Sequence, residues 1–262
     1  MVILTDLSKE NLAAAVELNS AEHLRLEAHI PWAEFHEEPD VLRIFTGDSW
    51  PRNTVALARF TSANADKRIA KILEQHLQHK VACNWIVGPV SQPYDLGKYL
   101  RARGFSCRIH CAGMACRLQD FPPETPLDKD TIVSLVDAPP LLVPVSTELR
   151  RREHEARQIM ARLRPRRLWC FSATVKGVPI GETIICTGAG VAGIYSVVVK
   201  EKFRRQGIGS ALLRAALCQA RELGFKAAVL SATGMGQTLY RRFDFEEVCK
   251  LSFWKYGKMR QQ

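Results

Sequence analysis

Apolar residues in the first half of the chain recur with either a helical or a strand period. Three segments have helical spacing, and each starts at capping residues or ends at a glycine. These predicted helices cover residues 8–29, 66–77 and 95–103. Short apolar runs predict strands at residues 2–7, 83–87 and 106–117. The first half is therefore predicted to mix helices with strands.

The second half alternates in the same way. Strands are predicted at residues 131–136, 168–175, 179–186, 193–199 and 226–231, and a hairpin at 245–256. Helices are predicted at residues 147–163, at 207–223 and around Leu239 and Tyr240. Residues 183–199 carry no charge, but they are fewer than the roughly 20 that a spanning helix needs, and glycines lie at their centre. We therefore predict a hairpin of buried strands there and no membrane association.

A Pro-rich polar stretch at residues 121–130 separates the two halves. With 262 residues, 47% hydrophobic and 24% charged, the chain is typical of a globular protein long enough for two domains. The net charge of +10 comes entirely from residues after 120. We predict an N-terminal lobe over 1–121, a linker over 122–130 and a C-terminal domain over 131–262. The basic domain is expected to bind an anionic partner, such as a phosphorylated cofactor, an acidic substrate or nucleic acid.

Eight cysteines are scattered along the chain without a CxxC pair and without a secretory leader before them. This pattern predicts reduced thiols in a cytoplasmic protein. Cys107, Cys111 and Cys116 lie near His110, but their spacing matches no common zinc site. We therefore expect small core residues and no bound metal.

Residues 196–213 are the segment most informative about chemistry. A β-branched strand ends in a basic turn with Gly207 and Gly209, and a helix follows at once. The first amides of a helix have no partner within it, and together with the helix dipole they attract anions. The segment therefore predicts a phosphate-binding loop. Its glycine spacing differs from the dinucleotide-binding fingerprint and from the P-loop, so nicotinamide and ATP sites of those kinds are not predicted.

The spacing Arg204-x-x-Gly207-x-Gly209 after a strand resembles the pyrophosphate loop of the GNAT superfamily of N-acetyltransferases. One strand later, residues 240–245 resemble the family's Tyr-x-x-x-Gly-Phe, with Asp244 in the glycine position. This likeness covers about residues 168–256.

The first half resembles a different part of the same superfamily. Residues 85–96 and 104–115 look like the degenerate N-terminal lobe of tandem GNAT proteins, without a phosphate loop of its own. The resemblance implies an α/β protein of the α+β type with a mixed sheet. Its expected architecture is the acyl-CoA N-acyltransferase fold in two tandem GNAT-like lobes.

The resemblance also implies roles for individual residues. The CoA pyrophosphate would be bound by the loop residues Arg204, Arg205, Gln206, Gly207, Ile208, Gly209 and Ser210. The main chain of Val197 and Val199 would contact the pantetheine arm and the acetyl carbonyl. Tyr240 would protonate the departing thiolate. Asp244, in place of the family's glycine, is expected to weaken the turn that positions Tyr240.

A general base must remove a proton from the acceptor ammonium. Glu182 is the only acidic residue between Lys176 and Val199, which makes it a candidate. Water chains serve many members of the family instead, and a solvated glutamate at a strand edge would look the same in sequence.

Eight arginines lie between Arg150 and Arg167. The preferred interpretation is a solvated helix face partly balanced by Glu153 and Glu155, and the alternative is recognition of an anionic substrate or RNA phosphate. No aromatic residues interleave with these arginines before Trp169, so a base-stacking surface is not indicated. Nucleic acid is therefore a possible partner but not the favoured one.

The sequence as a whole predicts an enzyme that transfers an acetyl group from acetyl-CoA to a primary amine by direct attack, without a metal. Two alternatives stay open. One is a non-catalytic acyl-CoA sensor with the same loop, and the other is an RNA- or protein-modifying acetyltransferase that uses the surface of residues 150–167.

Overall fold

The computed structural model describes residues 2–47, 53–119, 121, 126–138, 142 and 146–257, with the side chain of Met235 left aside. Its helices are α1 (Lys9–Glu27), α2 (Ala65–Gln78), α3 (Leu96–Ala102), α4 (Thr147–Arg162), α5 (Ile208–Glu222) and α6 (Gly234–Arg241). Its strands are β1 (Glu34–Glu38), β2 (Val41–Phe45), β3 (Thr54–Ala56), β4 (Asn84–Val87), β5 (Phe105–Arg117), β6 (Thr131–Val136), β7 (Leu168–Val175), β8 (Val178–Gly188), β9 (Val191–Val199), β10 (Ala227–Ala232) and β11 (Glu246–Tyr256).

Two helices begin where a serine caps them. The Ser8 hydroxyl accepts the Asn11 amide at 3.4 Å at the start of α1, and the Ser146 hydroxyl accepts the Leu149 amide at 3.2 Å at the start of α4. A serine before the first turn satisfies one of the free helix amides. The helices predicted at residues 8–29 and 147–163 are confirmed.

The strands form one continuous sheet in the order β1-β2-β3-β4-β11-β5-β10-β9-β8-β7-β6. β8 and β9 form the hairpin predicted at residues 183–199, with Ala189 and Gly190 at its turn. None of the described helices is long and apolar enough to cross a membrane.

The C-terminal strand corrects one prediction. Residues 246–256 form a single strand instead of a hairpin, and β11 pairs antiparallel with β4 on one side and β5 on the other. The segment contains no glycine, proline, asparagine or aspartate to make a turn. Leu251 and Trp254 are buried on it. A strand of the second half therefore lies between two strands of the first half.

Two further elements differ from the sequence prediction. Residues 2–7 form no strand, and Leu4 only donates its amide to the Gly190 carbonyl at 3.0 Å. The strands β1 to β3 were not predicted at all. β1 is the charged segment EFHEE at the edge of the sheet, where polar residues are favoured and the alternation of apolar residues is lost.

The two halves exchange elements across the predicted linker. β5 of the first half pairs with β10 of the second, while β11 returns to the first half. Residues 122–125 of the predicted linker lie outside the described residues, and the boundaries 1–121 and 131–262 stay a prediction.

Helices cover both faces of the sheet around β8. Ile185 packs with Leu212 of α5 in one buried cluster. Its neighbour Ile184 packs with Leu26 of α1 and Met160 of α4 in another. Because successive strand residues point to opposite faces, α5 lies on one face, and α1 and α4 lie on the other.

The Asn19 side chain joins α1 to the second half of the chain through hydrogen bonds. Its side-chain amide donates to the carbonyls of Cys186 and Gly188, each at 3.1 Å, and its oxygen accepts the Tyr195 hydroxyl at 2.8 Å. Any side chain at Gly193 would overlap Asn19. Asn19 is fully buried, so these three bonds satisfy groups that water cannot reach.

We expect Asn19→Ala to lower the free energy of unfolding by about 3 kcal/mol, since it leaves buried carbonyls and a hydroxyl without partners. Urea denaturation followed by circular dichroism measures this loss. Glu10→Ala, on the exposed start of the same helix, should change stability by less than about 0.5 kcal/mol. Equal effects of the two substitutions would contradict the role of Asn19.

Candidate active site

β9 and β10 run side by side only briefly. Their parallel pairing consists of Ala192 with Ala228 and Gly193 with Val229. Beyond this point β9 stays paired with β8 and β10 stays paired with β5. The two strands therefore part, and the opening between them is called here the β9–β10 wedge.

A β-bulge in β9 lies along the wedge. Ile184 pairs with Tyr195 and Glu182 pairs with Val198, so β9 has one residue more than β8 between these pairs. Ser196, within this interval, has a left-handed φ of 53°. A bulge leaves its extra residue out of the ladder, so main-chain groups beside the wedge are unpaired.

The main chain of Val197 and Val199 faces the wedge. The Lys200 amide donates to the Ile180 carbonyl on β8 at 2.8 Å. Main-chain groups alternate in direction along a strand, so those of Val197 and Val199 point away from β8. Arg204 Nε donates to the Val199 carbonyl at 3.2 Å from that side. The Nε of Arg204 is thus hydrogen-bonded to the end of β9.

Beyond β9 a short turn leads into α5. Arg205 and Gly207 both have left-handed backbone, with φ of 66° and 81°, and no side chain caps the helix at Gly207. In the described parts of the chain, the amides of residues 205–210 donate to no backbone acceptor. The first bond of the helix runs from the Ala211 amide to the Gly207 carbonyl at 3.0 Å. Six consecutive donors therefore lie free around the N-terminus of α5.

The surroundings of these amides are basic. Lys202, Arg204 and Arg205 are exposed, and Glu201 is the only acid between residues 200 and 210. Cations and the positive end of the α5 dipole therefore act in the same direction, and the loop attracts an anion.

α5, α6 and β9 meet at Gly209. A Cβ built on Gly209 would lie 3.4 Å from Leu239 and 3.9 Å from Val199. The glycine therefore allows close packing of the three elements, a role that the sequence pattern did not reveal. Tyr240 and Val197 pack on the same buried cluster. The structure thus brings the loop and the end of β9 against α6, the helix that carries Tyr240.

Tyr240 is half-buried in α6. Its ring lies over Gly236, where a Cβ would come within 2.8 Å, and it contacts the edge of Phe245 at 5.9 Å between ring centroids. Burial raises the pKa of the Tyr240 hydroxyl. The hydroxyl therefore stays protonated at neutral pH and can act as an acid.

The turn after Tyr240 forms although Asp244 stands in the glycine position of the family pattern. Asp244 adopts a left-handed φ of 57°. The amides of Phe243 and Phe245 both donate to the Tyr240 carbonyl, at 2.9 and 3.2 Å. The turn therefore forms with aspartate in the glycine position, and the left-handed conformation carries a Cβ cost that glycine would avoid.

Glu182 is buried, unlike the solvated strand-edge glutamate that the sequence left open. It is 1% exposed, and Arg157 donates to its two oxygens at 3.0 and 3.4 Å. Glu153 binds the same guanidinium at 3.1 Å. Burial raises the pKa of Glu182, and Arg157 opposes this rise. These surroundings give Glu182 a structural partner and no open path to an acceptor, so they do not favour its predicted role as base.

The arginines of residues 150–167 have structural roles of their own. Arg151 pairs with Glu148, Arg152 lies over the Trp32 ring at 5.4 Å, and Arg167 pairs with Glu22. Arg166 lies over Trp169 at 5.6 Å and donates to the Leu168 carbonyl. The predicted solvated, balanced face therefore describes exposed arginines such as Arg151, whereas Arg152, Arg166 and Arg167 are held by rings, a carbonyl and a carboxylate.

The cysteines lie apart from this chemistry. Cys83, Cys111, Cys116, Cys170 and Cys186 are buried, and Cys107, Cys218 and Cys249 are half-buried. Burial raises the pKa of the Cys116 and Cys170 thiols to about 12. In the described parts of the chain, no group of three His, Cys, Asp or Glu side chains is placed to hold a metal ion.

One polar group near the wedge was missed. Asn19, His23 and Glu27 follow each other at every fourth position of α1 and face the β8–β9 hairpin. The spacing was visible in the sequence, because these three polar residues lie on one face of the helix and buried polar groups need partners. Only the packing of α1 on the second half shows what that partner is.

Comparison with known proteins identifies the fold of this site. Residues 166–247 match the family model of the acetyltransferase (GNAT) domain. No curated protein sequence matches the chain. A GCN5-related N-acetyltransferase from Kribbella flavida is similar in structure over 92% of this chain and 96% of its own, with a TM-score of 0.67 and 17% identity.

Two further solved structures are similar. A tandem GNAT protein from the clavulanic acid biosynthesis pathway covers 100% of this chain and 98% of its own, with a TM-score of 0.60 and 14% identity. A GCN5-related N-acetyltransferase from Sphaerobacter thermophilus covers 85% and 75%, with a TM-score of 0.54 and 18% identity. The predicted acyl-CoA N-acyltransferase fold in its tandem form is confirmed, and at these identities the similarity concerns the fold alone.

We expect Asp244→Gly to raise the free energy of unfolding by about 1 kcal/mol, because glycine adopts the left-handed conformation without a Cβ penalty. The melting temperature should rise by about 3 °C. Asp244→Ala is the matched control and should give no gain, since it keeps the Cβ. A destabilised glycine variant would show that the Asp244 side chain itself holds the turn.

Proposed function

We propose that this chain, whose residues 166–247 match the GNAT acetyltransferase domain, transfers an acetyl group from acetyl-CoA to a primary amine by direct attack. The observation that carries this proposal is the row of six free amides at residues 205–210, at the end of the β9–β10 wedge. Unpaired amides at a basic helix N-terminus suit a pyrophosphate, and the wedge beside them suits an extended arm.

The loop would bind the pyrophosphate mainly through its backbone. The left-handed Arg205 and Gly207 turn the chain so that the following amides surround one point at the start of α5. Gln206, Ile208, Gly209 and Ser210 contribute amides to the same site. The guanidinium groups of Arg204 and Arg205 add charge, because arginine pairs well with phosphate oxygens.

The pantetheine arm would lie in the β9–β10 wedge. Its amides can bond to the main chain of Val197 and Val199 as a short additional strand would. The acetyl carbonyl would then lie near the bulge around Ser196. A main-chain amide there can stabilise the negative charge that develops on the carbonyl oxygen.

The acceptor amine attacks the thioester carbon, and the tetrahedral adduct breaks its carbon–sulfur bond. Tyr240 would give its proton to the departing sulfur and recover one from water. Burial keeps its hydroxyl protonated and able to donate, and it follows Leu239, which packs against Gly209 of the loop. The reaction uses no group beyond acetyl-CoA and the amine.

A phosphate-loop test separates charge from backbone strain. Gly207→Glu and Gly207→Ala both place a Cβ at a φ of 81°, but only glutamate adds bulk and a negative charge. By calorimetric titration, we expect the wild type to bind CoA and acetyl-CoA but not ATP. The Gly207→Glu variant should bind CoA about 100-fold more weakly than the alanine variant, a difference of about 2.7 kcal/mol.

Equal CoA affinity of the two Gly207 variants would show that the loop is not the CoA site. No binding of CoA to the wild type would remove the proposal altogether.

Tyr240→Phe tests the acid step. The substitution removes a single hydroxyl, so CoA affinity and melting temperature should stay unchanged. Turnover should fall by about 10²- to 10⁴-fold, measured as thiol release from acetyl-CoA in a screen of primary amines. An active wild type with an equally active phenylalanine variant would exclude Tyr240 as the acid. A wild type that binds acetyl-CoA but acetylates no amine in the screen would favour the sensor.

A further inference from the structure

His23 on α1 is held in a fixed position by two neighbours. Its Nδ1 lies 3.1 Å from a carboxylate oxygen of Glu27, one turn later on the same helix. Its ring stacks on Tyr195 of β9 with 4.8 Å between centroids and 22° between planes. A carboxylate at Nδ1 fixes the tautomer so that Nε2 carries the lone pair. The imidazole is thereby prepared to accept a proton.

The two members of this pair differ in access to solvent. The side chain of Glu27 is 1% exposed, whereas that of His23 is 17% exposed. Glu27 is therefore enclosed, and His23 lies between Glu27 and the surface. An acid beneath a partly open imidazole is the arrangement by which many enzymes orient a histidine base.

The position of the His23 ring relative to the wedge follows from its contact with Tyr195. Tyr195, on which His23 stacks, directly precedes the bulge residue Ser196. β10 has parted from β9 two residues earlier, after Gly193. His23 thus lies beside the start of the β9–β10 wedge, on the sheet face opposite α5. An acyl group bound in the wedge would lie between the phosphate loop on one side and the face that carries His23 on the other.

α1 itself is fixed in this place. Asn19, one turn before His23, donates to two carbonyls of β8 and accepts the hydroxyl of Tyr195 on β9. The imidazole therefore approaches the wedge from a helix whose position is set by buried hydrogen bonds. Glu182, by contrast, has both oxygens on Arg157 and is 1% exposed.

We propose that His23 is the general base that prepares the acceptor amine, with Glu27 as its positioning residue. This inference rests on the proposed acetyl transfer. Nε2 of His23 takes a proton from the acceptor ammonium and releases it to water. The neutral amine then attacks the thioester carbon, and the nitrogen of the adduct gives its second proton to water. The carbon–sulfur bond breaks, and the sulfur takes a proton from Tyr240 and leaves as the thiol. The first half of the chain thereby supplies a catalytic residue to the second.

The test uses bromoacetyl-CoA, an acetyl-CoA analogue that needs no acceptor. A nucleophilic nitrogen near the bound acyl group displaces bromide from its CH₂ carbon, forms a carbon–nitrogen bond and loses a proton. We expect one adduct per chain, mapped by peptide mass spectrometry to His23 and blocked by excess CoA. His23→Gln should bind CoA as the wild type does and remain unlabelled.

Two further variants control the result. Glu27→Gln should slow labelling about tenfold at unchanged CoA affinity, because the ring loses its orienting charge. His29→Gln, on the exposed turn just after α1, should label like the wild type. Melting temperatures show whether each variant is folded.

The outcomes separate this inference from the proposed function. CoA binding with no adduct on His23, or with equal labelling of His23→Gln at another residue, overturns the role of His23 and leaves acetyl transfer in place. Absence of CoA binding to the wild type overturns both. An adduct on His23 that depends on Glu27 supports the dyad, which a merely structural contact would not produce.

Discussion

The early parting of β9 from β10 is the constraint on which the site depends. A strand inside a continuous sheet normally has partners on both sides, yet these two share only two residue pairs. Each is held by its other neighbour, β9 by β8 and β10 by β5. The result is an opening within the sheet, where main-chain groups of β9 that point away from β8 are not paired with β10 in the described structure. A ligand with amides along an extended arm supplies partners for these groups.

The first half of the chain has a direct part in maintaining this opening. β5 holds β10 along its full length, and α1 closes the face opposite α5. β11 returns between β4 and β5, so neither half has a complete sheet of its own. The first half therefore contributes to the wedge in two ways. β5 pairs with β10 along one side of it, and α1 places polar side chains beside it.

Charge at this site is arranged in two distinct ways. In the loop before α5, the side chains of Lys202, Arg204 and Arg205 are exposed and lie beside amides that have no backbone acceptor among the described residues. Between residues 150 and 167 the arginines are engaged by carboxylates, aromatic rings and carbonyls, and Arg157 is buried between two glutamates. Both segments are rich in basic residues. The contacts of each guanidinium distinguish an arginine that is available to bind a ligand from one that stabilises the fold.

The sequence by itself determined the features that depend on neighbouring residues. The serine cap of α1, the glycine at the start of α5 and the basic turn before it are local signals, and the structure confirms the helices and strand that they predicted. Tertiary structure alone decided where β11 lies, that Glu182 is enclosed by Arg157, and that His23 meets Tyr195. These contacts join segments far apart in the chain, and local propensity carries no information about which of several strands or helices will pair.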